Sequence, residues 1–259
     1  MAVERVDISE SGSPWHEEHL SRYVYSTKYF SGKRVLDIAC GTGFGSKYIA
    51  QQNPTFLYSA DVSEEALSMT KSKLESEAVN FEVGFQDGTK TTFPDNNFDT
   101  IISIETIEHI EEDVSFLKEL NRILAPKGTL ILSTPNGLIT NPDQGIPSNK
   151  FHVREDFPDI LKKKIEEFFA IEKAAGQHVP NSYGPAPFLP SFAKPLMSFN
   201  QRVLSLIWSL ILRFPVGFRD VVYTVFRGHK FYPTVGDYTF LEENLEKAHV
   251  QYYVCKKKG

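Results

Sequence analysis

The chain has 259 residues, 41% of them hydrophobic and 24% charged, with a formal net charge of −5, which suits one sizeable globular domain carrying an insertion. A nucleic-acid reader of this charge would need a local basic patch working against the overall field, and the runs Lys162 to Lys164 and Lys256 to Lys258 are short and read as solvated faces. Cys40 and Cys255 lie far apart with no C-x-x-C or Cys/His finger spacing, excluding a zinc finger and a disulfide framework. The N-terminal stretch "MAVERVDISESGSPW" lacks a charged segment followed by an apolar one, so a reducing cytoplasm is the expected setting.

In chain order, "SPWHEEHLSRYVYSTKYF" offers Ser13 as a cap and Pro14 as a first helical position, with an amphipathic helix over His19 to Phe30. From residue 33 to about 135, β-branched apolar runs alternate with helical patterns, the signature of βα units around a parallel sheet. Strands are predicted at "RVLDIAC" (34–40), "TFLYSAD" (55–61), "VNFEVGFQD" (79–87), "FDTIISIE" (98–105) and "GTLILSTP" (128–135). Helices are predicted at "GSKYIAQQ", "SEEALSMTKSKLES", with Ser63 as N-cap, and "EEDVSFLKELNRIL". "EEFFAIEKAA" (166–175) and "VQYYVCKK" (250–257) read as two late strands separated by about 70 residues rich in proline and aromatics, more than a compact α/β core needs. That interval reads as an inserted cap or contact element over 180–240, between a core of 1–179 and a completing segment of 241–259. Its stretch "VLSLIWSLILRFPVGF" (203–218) is too short for a comfortable membrane span and contains Arg213 and Pro215, leaving peripheral membrane contact or burial in a partner open.

Chemistry concentrates in "VLDIACGTGFGS". Gly41, Gly43 and Gly45 carry the chain from a buried strand into a helix, where glycine permits positive φ and close approach of backbone to a ligand. The spacing is wrong for the G-x-G-x-x-G fingerprint of a dinucleotide site. Asp37 sits inside the strand, able to orient the loop or meet a ligand ammonium. Asp61 closes the second strand and can hold two ribose hydroxyls, and Asp87 ends the third, where it can accept from an adenine amino group or serve as a turn residue.

The segments "VLDIACGTGFGS", "SADVSEEAL", "FQDGTKTTFPDNNFDTIISIETIEHIEE" and "LNRILAPKGTLILSTPN" together resemble the class I S-adenosylmethionine-dependent methyltransferases over roughly residues 15 to 157 plus the last strand. The resemblance implies a Rossmann-like α/β fold with a seven-stranded, mostly parallel sheet, an antiparallel last strand and the cap inserted between the last two strands. It implies S-adenosylmethionine as cofactor, held by Asp37, Gly41, Gly43, Asp61, Asp87 and Glu105, with Val62 and Gly88 lining the adenine. One departure is Lys127 in "APKGTL", where the family commonly has a second glycine, at a surface turn.

"IETIEHIEE" (104–112) then raises a choice. With Ile107, Ile110, Val114, Leu117 and Leu124 as the core stripe of a helix, Glu108 and His109 would lie off it, facing the site's mouth. They simply begin a solvated helix, or His109 is a general base helped by Glu108, or Glu105, Glu108, His109 and His152 of "NKFHVREDF" hold a divalent ion. The last pattern resembles the metal-binding arrangement of small-RNA 3′-terminal 2′-O-methyltransferases. "EHLSRY", "STPN" and "SNKFHVRE" are instead similar to bacterial methyltransferases associated with polysaccharide assembly, implying a saccharide hydroxyl as acceptor and His152 as base, substrate ligand or metal ligand. The favoured reading is therefore a saccharide or small-molecule O-methyltransferase with catalytic His109, Glu108 and His152 and no required metal. The alternatives are a metal-dependent RNA ribose methyltransferase and a cofactor-binding subunit without turnover. Acceptor choice is assigned to loops outside the sheet. There Phe188, Phe192, Phe199, Trp208, Tyr223, Phe226, Phe231 and Tyr232 read as core or as sugar-stacking walls, and the insertion also offers a homo-oligomer contact.

Overall fold

The computed structural model describes residues 14–179 and 214–258. In chain order it contains α1 (Pro14–Tyr25), β1 (Arg34–Ile38), α2 (Phe44–Ala50), β2 (Phe56–Asp61), α3 (Glu64–Leu74), β3 (Phe81–Phe85), β4 (Phe98–Ile104), α4 (Asp113–Ile123) and β5 (Leu124–Pro135). There follow the single turn α5 (Gly137–Thr140), α6 (Pro158–Phe168), β6 (Phe169–His178), α7 (Val216–Arg227), β7 (Thr239–Leu241) and β8 (Val250–Lys257). The strands form one sheet in the order β3-β2-β1-β4-β5-β8-β6-β7. β1 to β5 are parallel, while β8 enters antiparallel between β5 and β6.

The sheet therefore has eight strands, one more than the resemblance implies. The extra one, β7, comes from the end of the insertion and pairs antiparallel with the edge of β6 through Gly176↔Leu241, Gln177↔Phe240 and His178↔Thr239. The strand predicted at 166–175 starts later, because Glu166, Glu167 and Phe168 complete α6. α1 begins at Pro14 and stops at Tyr25, and the rest of the predicted helix is one 3-10 turn at Thr27–Tyr29.

Alternation along each buried strand places successive side chains on opposite faces. Leu36, Ile101, Leu130 and Tyr253 point to the layer that packs Phe116, Leu117 and Leu120 of α4 and Leu161 and Ile165 of α6. Their neighbours Val35, Ile102, Ile131 and Tyr252 point to the layer holding Tyr23 of α1, Ile49 of α2 and Leu74 of α3. Ser63 caps α3, its side chain accepting from the Ala66 N–H. Lys127 has φ +63, the left-handed geometry glycine adopts freely. The lysine runs are only partly solvated faces: Lys164 binds Asp113 at 2.7 Å and Asp156 at 2.6 Å, tying α6 to α4. Among the described residues no helix is long and apolar enough to cross a membrane.

Strand order reverses at β1, which has β2 on one side and β4 on the other. In open parallel sheets, ligands bind beyond the carboxyl ends of the strands at such a switch point, and the motif residues emerge there.

Candidate active site

The glycine loop leaves β1 through three left-handed residues, Ala39 at φ +59, Gly41 at +54 and Gly43 at +79. Gly43 is the N-cap of α2. Asp37 lies fully buried beneath the loop. Tyr23 donates its hydroxyl to Oδ1 at 3.1 Å and Ser46 to Oδ2 at 2.6 Å, so Asp37 orients α1 and α2 rather than facing an open site. Burial pushes its carboxyl up to about 7, against the lowering pull of those two hydrogen bonds. At the end of β2, Asp61 accepts from the Gly41 N–H through Oδ2 and from the Ser63 N–H through Oδ1, both at 2.9 Å. One carboxylate thus ties the loop to the start of α3, and each oxygen retains acceptor capacity for a ligand hydroxyl. On the other side, Thr70 of α3 donates to the Gly41 carbonyl at 3.0 Å and Lys73 to the Thr42 carbonyl at 2.5 Å.

Val62 is 51% exposed beside Asp61. Asp87 is exposed, and its Oδ1 accepts from the N–H and hydroxyl of Thr89 at 2.9 and 2.7 Å, an Asx turn. At Gly88 a Cβ would meet the Phe116 ring, so this glycine also serves packing. Glu105, just past β4, has φ +50. Its Oε1 accepts from the Ser133 hydroxyl at 3.0 Å and lies 3.5 Å from Nη1 of the buried Arg22.

The next turn departs from the expected helix. Ile107–His109 is a 3-10 turn and α4 begins only at Asp113; of the predicted stripe Ile107, Leu117 and Leu124 are buried, Val114 is 42% exposed, and Phe116, Leu120 and Ile123 complete the buried face of α4. Glu108 is not on a solvated face. The loop 149–156 folds over it, the Val153 N–H donating to the Glu108 carbonyl at 2.8 Å, and its side chain is 1% exposed. Thr134 donates to Glu108 Oε2 at 2.8 Å, and Oε1 has no hydrogen-bond partner. Burial first, and the negative charge of Glu105 second, push the Glu108 carboxyl up to about 8.

His109 and His152 stand edge to face, their ring centroids 4.8 Å apart. His109 Nδ1 is 3.1 Å from the Phe151 carbonyl, which can only accept, so the proton is on Nδ1. Glu108 Oε1 is 3.9 Å from His109 Nε2, too far to orient the ring by a hydrogen bond. One ligating atom each from Glu108, His109 and His152 fall within 4.8 Å of one another. Glu105 stands outside that group, correcting the four-ligand set: its carboxylate is engaged with Ser133 and Arg22. His16 and His19 pack against Phe44 instead.

Sequence reasoning missed Arg22, Asn149, Thr134 and Glu155. Arg22 lies in "EHLSRY" and Thr134 in "STPN", stretches that carried a resemblance but no role for these residues, whereas Glu155 follows His152 by three residues in "HVRE", a spacing that permits contact across a turn. Of the aromatic wall, Phe188, Phe192, Phe199 and Trp208, like residues 203–213 of the apolar stretch, lie outside the described residues, as does the side chain of Phe226. Phe231 is 1% exposed and packs edge-on against Tyr223 and Tyr232, each at 4.8 Å, favouring the core reading for these three.

A family model described as a methyltransferase domain matches residues 36–132. A probable S-adenosylmethionine-dependent methyltransferase of Mycolicibacterium smegmatis is 26% identical over 168 residues, covering 62% of each protein. A phosphoethanolamine N-methyltransferase of Zea mays is 31% identical over 170 residues, 64% of this chain and 30% of the maize protein. The chain thus spans less than two thirds of either relative. An S-adenosylmethionine dependent methyltransferase from Mesorhizobium loti superposes with a TM-score of 0.55 over 95% of this chain and all of its own, at 13% identity, and so shares the fold. The methyltransferase-domain match over 36–132, the relatives and the shared fold together support a class I S-adenosylmethionine-dependent methyltransferase, with S-adenosylmethionine as the cofactor.

Proposed function

We propose that the chain is an O-methyltransferase acting on a hydroxyl of a saccharide or related small molecule. The observation that carries this reading is the pair of imidazoles beside Glu108, past the ends of β4 and β5, with Glu105 near enough to raise the Glu108 carboxyl. A hydroxyl needs help losing its proton, and imidazole is a competent base at neutral pH.

In this reading Asp61 takes the ribose hydroxyls, Asp87 the adenine amino group, Val62 and Gly88 the flanks of the base, and Glu105 the methionyl portion. Asp37, Gly41 and Gly43 shape the loop. When bound, S-adenosylmethionine supplies a sulfonium methyl for in-line displacement. The chain holds the acceptor hydroxyl in line and removes its proton through Nε2 of His109, whose Nδ1 proton is fixed by the Phe151 carbonyl. The acceptor oxygen would gain the methyl as the sulfur–methyl bond breaks, with the bonding pair left on a neutral thioether that departs, and the hydroxyl proton passes to the imidazole. His152 flanks the acceptor.

A second reading has one observation in its favour: the unpartnered oxygen of buried Glu108 together with two imidazoles. Two nitrogens and one carboxylate suit a borderline divalent transition ion better than Mg²⁺. Such an ion would be held by Glu108, His109 and His152 and would polarise the acceptor oxygen, as in a ribose 2′-O-methyltransferase. The maize relative's name raises an amine acceptor as a competitor. We assign 1–179 and 241–259 to the cofactor core and 180–240 to acceptor choice or self-association. The exposed Phe214, Phe218, Val221 and Val225 around α7 support a contact role for the latter.

The test is transfer of radiolabelled methyl to saccharide, RNA and amine acceptors, with and without EDTA. EDTA-insensitive transfer to a sugar hydroxyl is the expected result. Transfer restored only by added Mn²⁺ or Co²⁺ would favour the ion, and cofactor binding without transfer to any acceptor would leave a non-catalytic subunit.

A further inference from the structure

The loop that carries His152 fixes that ring from two sides. The Phe151 N–H donates to Asn149 Oδ1 at 3.1 Å. A backbone N–H can only donate, so this contact orients the Asn149 amide and directs Nδ2 at His152 Nε2, 2.9 Å away. An amide NH₂ can only donate, so Nε2 is the bare nitrogen and the proton lies on Nδ1. That proton points at Glu155 Oε1, 2.6 Å from Nδ1. The Glu155 side chain is 3% exposed and that of His152 10%. Although burial alone would raise the Glu155 carboxyl, hydrogen bonds from His152 and Thr140 hold it below the usual carboxylate range.

The backbone around Glu155 is clamped as tightly as its side chain. A Cβ at Gly137 would strike the Glu155 carbonyl oxygen, and the Gly137 N–H donates to the Asp156 carbonyl at 3.2 Å. Arg154 binds the carbonyls of Ile110 and Glu111 at 2.5 and 2.6 Å, locking the loop onto the turn that bears Glu108 and His109.

We infer that Glu155 is a positioning residue for methyl transfer: it holds His152 as the Nδ1–H tautomer so that Nε2 is presented as an acceptor, with the Asn149 amide as placeholder until the substrate hydroxyl displaces it. The proposal rests on His152 acting in the site proposed above, and it deepens that reading by giving the second imidazole a defined tautomer. A carboxylate behind an active-site histidine fixes ring and tautomer together, and losing such a partner costs on the order of 10–100-fold in activity.

The test has two readouts on the full chain. Nitrogen-15 NMR of the histidine side chains, with His152→Gln to assign the signal, reads the tautomer without turnover. The expected wild-type signal is Nδ1–H, collapsing to a mixture or to Nε2–H in Glu155→Ala. With the preferred acceptor, Glu155→Ala should lower kcat about 10–100-fold at unchanged KM for S-adenosylmethionine. Glu155→Gln, which keeps an acceptor oxygen, should retain most of the rate and stands in if the alanine variant does not fold. An Nδ1–H signal that persists in Glu155→Ala, or an unchanged kcat, overturns the proposal, and so does a parallel loss of cofactor affinity and rate in both variants. If the wild type turns over no acceptor, the functional reading fails while the tautomer still decides the role of Glu155.

Discussion

Gly41 and Gly43 are two residues apart in one loop and both left-handed, yet the structure gives them different duties. An alanine at either position gives up glycine's ease at positive φ, a cost of about 1 kcal/mol. The loop tolerates that at Ala39, already at φ +59. Beyond the backbone the two sites diverge. A Cβ at Gly41 meets nothing within 4 Å, because it would project into open space at the mouth of the loop. A Cβ at Gly43 would lie 2.6 Å from Thr70 Cα and 2.7 Å from Thr70 Cβ, so α3 itself must move. Overpacking of this kind adds roughly 1–3 kcal/mol. Gly43→Ala should therefore cost about 2–4 kcal/mol and Gly41→Ala about 1 kcal/mol, readable as urea midpoints at constant m-value. Calorimetric titration with S-adenosylmethionine should show the reverse ranking per unit of stability lost, since the added methyl at Gly41 enters space assigned to the cofactor. Equal destabilisation by the two variants would refute the packing argument, and undiminished affinity in Gly41→Ala would refute the cofactor placement.

Asp61→Ala removes two hydrogen bonds to a charged group, each worth roughly 1.5–3 kcal/mol, and should weaken cofactor binding by at least about tenfold, with unchanged calorimetric affinity as the contrary result. His109→Ala and His152→Ala should each lower turnover far more than cofactor affinity, by about 10²–10⁴-fold for a base, and full methyl release by both would remove their assigned roles. Asp37 supplies a pH test. Its folded carboxyl is raised to about 7 from an ordinary 3.8, so the folded state holds the proton more tightly than the unfolded chain. Its contribution is present below about pH 4 and is lost as pH rises toward 7, by at most about 4 kcal/mol at roughly 1.4 kcal/mol per pKa unit. Asp37→Asn, neutral throughout, should lack that decline in urea unfolding between pH 4.5 and 7.5, and curves parallel to wild type would contradict the buried titration.

The α/β core was legible because its signals are local. β8 matches its predicted span, Val250–Lys257, since a continuous β-branched and aromatic run bounded by polar residues has few other uses. The glycine loop and Asp61 were legible because strand, turn and helix start are contiguous. Glu108 was not, because its burial depends on a loop more than 40 residues away folding over it, and a helical period was assumed where a 3-10 turn lies. β7 was missed because three residues, one of them buried, carry no period of their own and take strand geometry only from the exposed edge of β6.

Glu105 and Glu108, three residues apart in "ETIEH", end up in opposite electrostatic settings. Glu105 stands just beyond the strand, bonded to the Ser133 hydroxyl with the Arg22 guanidinium 3.5 Å away. Glu108 is turned into the protein by the 3-10 turn, with no cation at hydrogen-bonding distance among the described residues, and its proton is retained to about pH 8. The charge on Glu105 contributes to that retention, since a second buried negative charge so close would be repelled. The two carboxyls are therefore coupled, and neutralising Glu105 by Glu105→Gln should ease ionisation of Glu108. That change separates the two chemistries proposed for the site: an ion held by Glu108, His109 and His152 draws on the negative charge of Glu105, and a doubly charged ion loses more from its removal than the easier release of one proton returns, so it should bind more weakly in Glu105→Gln, whereas proton removal by His109 alone needs no such ion. Titration of Mn²⁺ into both proteins near pH 7, followed by calorimetry, reads the difference directly. Binding to the wild type that weakens in the variant supports an ion site, and no binding in either leaves proton transfer to the imidazoles.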